Sequence, residues 1–90
     1  MDQWDERMTR HPDRIPTLEL LETCWQFTAP SKRILSCAVY QTDIGLEVRV
    51  GYSEDDLLFS VRMPDLETAR KKAAELRAAV VAKGGFTELP

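Results

Sequence analysis

The sequence predicts an α+β fold: a four-stranded antiparallel meander sheet with one C-terminal helix packed across one face, in two layers. Three observations carry this. Residues 65–85, DLETARKKAAELRAAVVAKGG, read as one amphipathic helix with a start signal and a stop signal. Residues 23–63 hold apolar residues at alternate positions, interrupted by clusters of turn-forming residues. The lengths also agree. A strand of eight residues at ~3.3 Å each spans about 26 Å, and a helix of about 18 residues at ~1.5 Å each spans about 27 Å.

The chain divides into an N-terminal arm over 1–22, flexible or loosely docked, and a single ββββα domain over 23–90. Residues 1–16, MDQWDERMTRHPDRIP, are charged, carry two prolines and show no sustained period. Trp4 and Met8 stand four apart, so a helical turn could form there and dock. Residues 17–22, TLELLE, fit either element: Leu18 and Leu21 suit a helix, Leu18 and Leu20 a strand.

The first strand begins at Thr23, with Trp25 and Phe27 alternating against Cys24, Gln26 and Thr28. Ala29-Pro30-Ser31-Lys32 is a turn cluster. In the second strand Leu35, Cys37 and Val39 share one face, and Ile34, Ser36, Ala38 and Tyr40 the other. A Pro30-Ser31-Lys32 loop sets Phe27 opposite Leu35 and Trp25 opposite Cys37, with the large apolar groups on one side. A loop one residue longer would oppose Cys24 to Cys37 but would set Trp25 against Ser36. The first register is preferred, and it predicts no disulfide within the hairpin.

Thr42-Asp43-Ile44-Gly45 is the next turn. Leu46, Val48, Val50 and Tyr52 then alternate with Glu47, Arg49 and Gly51. After Ser53-Glu54-Asp55-Asp56, Leu57, Phe59, Val61 and Met63 alternate with Leu58, Ser60 and Arg62. A four-residue loop places Tyr52 on Leu57, Val50 on Phe59 and Val48 on Val61, all inward.

In the helix, Asp65 is the N-cap and Glu67 adds negative charge in the first turn. Leu66, Ala69, Ala73, Leu76 and Val80 form the apolar stripe, expected to cover Val48, Val50, Phe59 and Val61. Glu67 and Lys71 are an i,i+4 pair. Gly84-Gly85 is the stop, after which Phe86 folds back on Val80 or Val81.

Composition narrows the function. Hydrophobic content of 43% with 30% charged residues is that of an ordinary globular domain. A formal net charge of −3 weighs against a general binder of nucleic acid or anionic membrane. No apolar run approaches a membrane span, and the charged first 14 residues leave no room for an export signal's apolar segment. Cys24, Cys37 and the single His11 fall short of a metal set, and two free thiols suit a cytoplasmic protein. No phosphate-binding glycine loop is present, and Glu54-Asp55-Asp56 lacks the ligand ladder of a calcium loop. No catalytic residues, cofactor or metal are therefore expected.

Two surfaces remain. One is the uncovered sheet face, where Ala38, Tyr40, Arg49, Leu58 and Arg62 form a mixed patch, with Ile34 beside it and Glu47 placed to pair across strands with Arg49 or Arg62. The other is the basic side of the helix: Arg70, Lys71, Lys72 and Arg77.

The string Arg70-Lys71-Lys72-Ala73-Ala74 resembles the basic opening of the last helix in double-stranded RNA-binding domains. Here, however, it lies well inside the helix behind Asp65 and Glu67, and no glycine-rich approach precedes it. A sheet plus helix is also similar to the DNA-binding arms of some integrases, but those use a basic sheet and this one is not basic. The blocks W-x-F-x-x-P-S (from Trp25), L-x-C-x-x-Y (from Leu35), GLEVRVGY-x-EDDLL (from Gly45) and KGGFTEL (from Lys83) resemble a set of short bacterial proteins with no assigned function. That resemblance implies a small compact fold and no chemistry, and it places a glycine where Lys32 stands.

The expected function is thus a non-enzymatic binding protein that pairs with itself through the uncovered sheet face, or with another protein there. The alternative is a nucleic-acid accessory protein using Arg70, Lys71, Lys72 and Arg77. A third reading is a small-molecule binder between arm and sheet.

Overall fold

The computed structural model describes residues 18–90, and the reading of residues 1–17 as an arm lies outside them. The strands are β1 (Leu18–Thr28), β2 (Ile34–Thr42), β3 (Gly45–Ser53) and β4 (Asp56–Met63), followed by helix α1 (Leu66–Lys83) and a short β5 (Thr87–Glu88). The sheet is antiparallel in the order β4-β3-β2-β1-β5, with α1 packed against one face. The α+β meander with its C-terminal helix is therefore present, with two changes at the β1 edge.

The first change is at the start of β1. Leu18–Glu22 are strand, paired with β2 from Leu18↔Thr42 onward, and so belong to the domain rather than to an arm. The alternation of Leu18 and Leu20 wins over the helical spacing because β2 offers these residues a complete ladder. β1 has 11 residues and β2 has 9, so two residues of β1 are left over. They are Leu21 and Cys24, each at a bulge that opposes two residues to one. The second change is β5. After the helix, Thr87 and Glu88 pair with Thr28 and Phe27, and Leu89 N–H donates to the Gln26 carbonyl at 2.9 Å.

The first hairpin has the expected register, with Phe27↔Leu35 and Trp25↔Cys37. Its loop is Pro30-Ser31-Lys32, closed by Lys32 N–H to the Ala29 carbonyl at 2.9 Å and Ala29 N–H to the Arg33 carbonyl at 2.8 Å. Lys32 takes the left-handed conformation, φ 76°, the reason a glycine would suit this position. The second turn is Asp43-Ile44. The Thr42 hydroxyl accepts from Ile44 N–H at 3.2 Å and donates to the Gly45 carbonyl at 2.8 Å.

The β3–β4 hairpin departs from its expected register at one end. Val48↔Val61 and Val50↔Phe59 hold, but Gly51 opposes Leu57 and Ser53 opposes Asp56. The turn is Glu54-Asp55 rather than four residues. Leu58 is the extra residue on β4 and Tyr52 the compensating one on β3. Tyr52 therefore does not sit on Leu57. Its ring instead lies under the Arg33 guanidinium, 4.3 Å from the centroid, and Arg33 continues to Asp56 at 2.6 Å.

The core comprises Trp25, Phe27, Leu35, Cys37, Val39, Val48 and Val50 from the sheet, with Ala69 and Ala73 from the helix. The expected helical stripe is the one used: Ala69 and Ala73 are buried, while Leu66, Leu76 and Val80 pack around them. Its target is displaced toward β1 and β2, however. Phe59 keeps 37% of its surface and Val61 is half-buried. The displacement follows from Trp25, whose indole Nε1 donates to the Ala73 carbonyl at 2.7 Å in the interior. Trp25 also meets Phe27 edge to face, at 5.4 Å between ring centroids. Two alanines on the helix permit this close approach.

The helix begins as its sequence predicts. The Asp65 carboxylate accepts from Thr68 N–H and from the Thr68 hydroxyl, both at 2.7 Å. It ends at Gly84, φ 81°, whose N–H donates to the Val81 carbonyl at 3.2 Å.

Candidate functional site

Residues directly opposite one another on adjacent strands point to the same face. The pairings therefore write out the uncovered face as rows across the sheet. Leu20, Tyr40, Glu47 and Arg62 form one row; Thr23, Ala38, Arg49 and Ser60 the next; Gln26, Ser36, Gly51 and Leu57 the third. Thr28 and Ile34 close the series.

Four of the five expected residues, Ala38, Tyr40, Arg49 and Arg62, stand in these rows. Leu58 is the correction. It is the bulge residue of β4, and Leu57 takes the place across from Gly51. A Cβ added at Gly51 would lie 3.1 Å from Leu57 Cδ2, which locates the Leu57 side chain over Gly51 on the uncovered face. Leu20 is a second member that the sequence reading left undecided.

A shallow groove of about 220 Å³ runs across this face, lined by Ser36, Ala38, Tyr40, Arg49, Gly51 and Leu57 among others. Ala38 forms its floor and is 6% exposed, while Leu57 stands at 41%; Ile34, at the end of β2 on the same face, is 45% exposed. The charges are arranged along β3 rather than across strands. Arg49 Nε bonds the Glu47 carboxylate two residues before it, and its guanidinium carbon lies 5.3 Å from the Tyr40 ring centroid. Gln26 Nε2 donates to Ser36 Oγ at 2.9 Å.

The basic side of the helix is arranged differently. Arg70 makes a two-pronged contact with Glu22 of β1, at 3.1 and 2.8 Å. Arg77 does the same with Glu88 of β5, its Nε at 3.0 Å. Lys71 lies 3.9 Å from Glu67, and Lys72 lies 3.5 Å from Glu75 with its ammonium 5.8 Å from the Phe59 ring centroid. All four cations thus have a carboxylate at hand. The two arginines serve to clamp the helix to the β1 edge, a use that no inspection of the helix alone would find. A cation already matched by carboxylate releases fewer counterions on meeting a phosphate.

These contacts shift the carboxyls. Arg70 holds Glu22 below the usual value of 4.5, and Arg77 does the same for Glu88. The bonds from Thr68 hold Asp65 below its usual 3.8. A carboxyl whose pKa is lower in the folded chain contributes stability that is complete above its unfolded value and is lost as pH falls through the folded one. Stability should therefore fall as the solution is acidified from about pH 5 downward. The double variant Glu22→Gln, Glu88→Gln should show a flatter fall when urea midpoints are compared at several pH values; equal slopes would refute this assignment.

The two thiols occupy a different place. Cys37 is fully buried, and Cys24 is half-buried beside a second groove of about 250 Å³, lined by Glu22, Trp25, Arg70, Ala73, Ala74 and Arg77. Burial raises the Cys24 pKa and pushes Cys37 up to about 12. Among the described residues no three His, Cys, Asp or Glu side chains gather as a metal set, and no helix is long and apolar enough to cross a membrane.

Comparison of the chain with protein-family models, with curated proteins and with solved structures finds no match.

Proposed function

We propose that this is a non-enzymatic interaction protein whose uncovered sheet face receives a second copy of the same chain. The observation that carries the reading is the make-up of that face. Leu20, Ile34 and Leu57 stand out from it at 53%, 45% and 41% exposure, and Leu57 lines a groove floored by Ala38. A twofold contact requires a patch that is its own complement. This face offers apolar side chains that protrude and a groove to take them. It also offers charges of both signs, in Glu47, Arg49 and Arg62.

Two further considerations favour a second copy over a small molecule. The groove, at about 220 Å³, is smaller than the roughly 300–1,000 Å³ of typical ligand pockets, and it suits a side chain from a facing surface. A 90-residue chain also has a modest core, and pairing adds apolar burial that one copy cannot supply.

Sedimentation velocity at tens of micromolar tests the reading. The wild type should sediment at twice the chain mass. Ile34→Lys with Leu57→Lys should sediment as a monomer, with its circular dichroism unchanged. A twofold contact counts each substitution twice, so association should weaken by about 100-fold or more. A monomeric wild type, or a double variant that remains dimeric, would overturn the proposal.

A further inference from the structure

We propose that Cys24 and Cys37 form a redox-active dithiol that closes to a disulfide between β1 and β2 by exchange with a low-molecular-weight disulfide. The inference starts from the bulge. Thr23 opposes Ala38 and Trp25 opposes Cys37, so Cys24 is the extra residue, and Cys24 and Trp25 together face Cys37. Residues opposed across an antiparallel pair have Cα atoms about 4.5–5.5 Å apart. Disulfides span Cα separations of about 4.4–6.8 Å. The hairpin register, which by itself opposes Trp25 to Cys37, thus still delivers the second cysteine to the first.

Side-chain placement agrees. Cys24 packs against the buried cluster that contains Cys37, so both thiols lie on the helix side of the sheet. Each also feels the other: Cys24 is among the causes that push the Cys37 thiol up. The two differ in access. Cys37 has no exposed surface, whereas Cys24 borders the groove between the β1 edge and α1. Around it stand Glu22, whose carboxylate is 3.9 Å from the Cys24 sulfur, and Arg70 and Arg77 of the helix. Cys24 is therefore the attacking thiol and Cys37 the resolving one.

The chemistry balances with the external disulfide as oxidant. Cys24 loses its proton, and its Sγ attacks one sulfur of that disulfide. The S–S bond breaks and one small thiolate leaves, taking up a proton. Cys37 then loses its proton and attacks Cys24 Sγ, releasing the second small thiol. Two cysteine thiols are oxidised and one external disulfide is reduced to two thiols. With both protein thiols held protonated by burial, the exchange is slow at neutral pH.

The test uses the full chain with oxidised glutathione at a pH of about 9.5, above the ordinary thiol value of about 8.5 because burial raises both thiols. The reaction is followed until a control peptide thiol has reacted fully. Products are trapped with acid and an alkylating agent, then read by intact mass. The wild type should lose two hydrogens and resist alkylation at both cysteines. Cys37→Ala should stop at a glutathione adduct on Cys24, and Cys24→Ser should not react. Cys37→Ser serves as a second resolving-thiol variant should the alanine perturb packing. A wild type that retains the glutathione adduct without closing overturns the proposal. So does a wild type that keeps both thiols while its circular dichroism shows it folded throughout.

Discussion

Replacing Trp25 with alanine should cost about 3–5 kcal/mol of stability, a large part of what a domain of this size possesses. Two losses combine. The indole fills the space between β1 and α1 and is 6% exposed, so its removal leaves a cavity in the centre of the core. Its N–H also donates to the Ala73 carbonyl at 2.7 Å, a buried polar tie between the sheet and the helix. Trp25→Phe separates the two. It keeps most of the volume and should cost about 0.5–1.5 kcal/mol for the bond. Urea unfolding followed by circular dichroism measures both. If Trp25→Ala lost less than Trp25→Phe is expected to lose, the helix would not be anchored here.

The second large effect is expected at Gly51. A Cβ at this position would lie 2.6 Å from the Asp56 carbonyl oxygen and 2.8 Å from Leu57 Cα. Both are backbone atoms of the neighbouring strand, so relief requires β4 to move, and Gly51→Ala should cost about 1–3 kcal/mol. The same movement would shift Leu57 and spoil the groove, so the variant should also weaken self-association. Urea midpoints and sedimentation of the same sample read the two effects. An alanine variant of unchanged stability would mean that the paired irregularities at Tyr52 and Leu58 do not hold β3 and β4 this close.

The contrast between Gly51 and Trp25 shows what could be read from the residues. Wherever large apolar side chains had to share one face, the pairing was legible: Phe27 with Leu35, Trp25 with Cys37, Val48 with Val61. A one-residue slip there would expose them, so the pattern determines the register. The helix was legible for a similar reason, its stripe being bracketed by Asp65 and Gly84.

Bulges escape such a reading because alternation on either side of an extra residue looks the same. Leu57 and Leu58 are both leucine, and nothing in their identity says which one reaches the uncovered face. Gly51, inside an otherwise regular strand, was the available signal. Leu18–Glu22 were undecided because helix and strand spacings coincide over so few residues, and β5 is too short to have a period. The pairing of Arg70 with Glu22 and of Arg77 with Glu88 joins residues distant in the chain, so the charges on the helix looked free when viewed along the sequence alone.

The most direct measurement of the self-association proposal is paramagnetic relaxation of methyl signals by an inert, soluble gadolinium chelate, at a concentration where the chain is associated. The proposal predicts that the methyls of Leu20, Ile34 and Leu57 are shielded, while those of Ile44 and Val81, exposed by 64% and 53% and away from that face, relax strongly. Equal relaxation of both groups would contradict it.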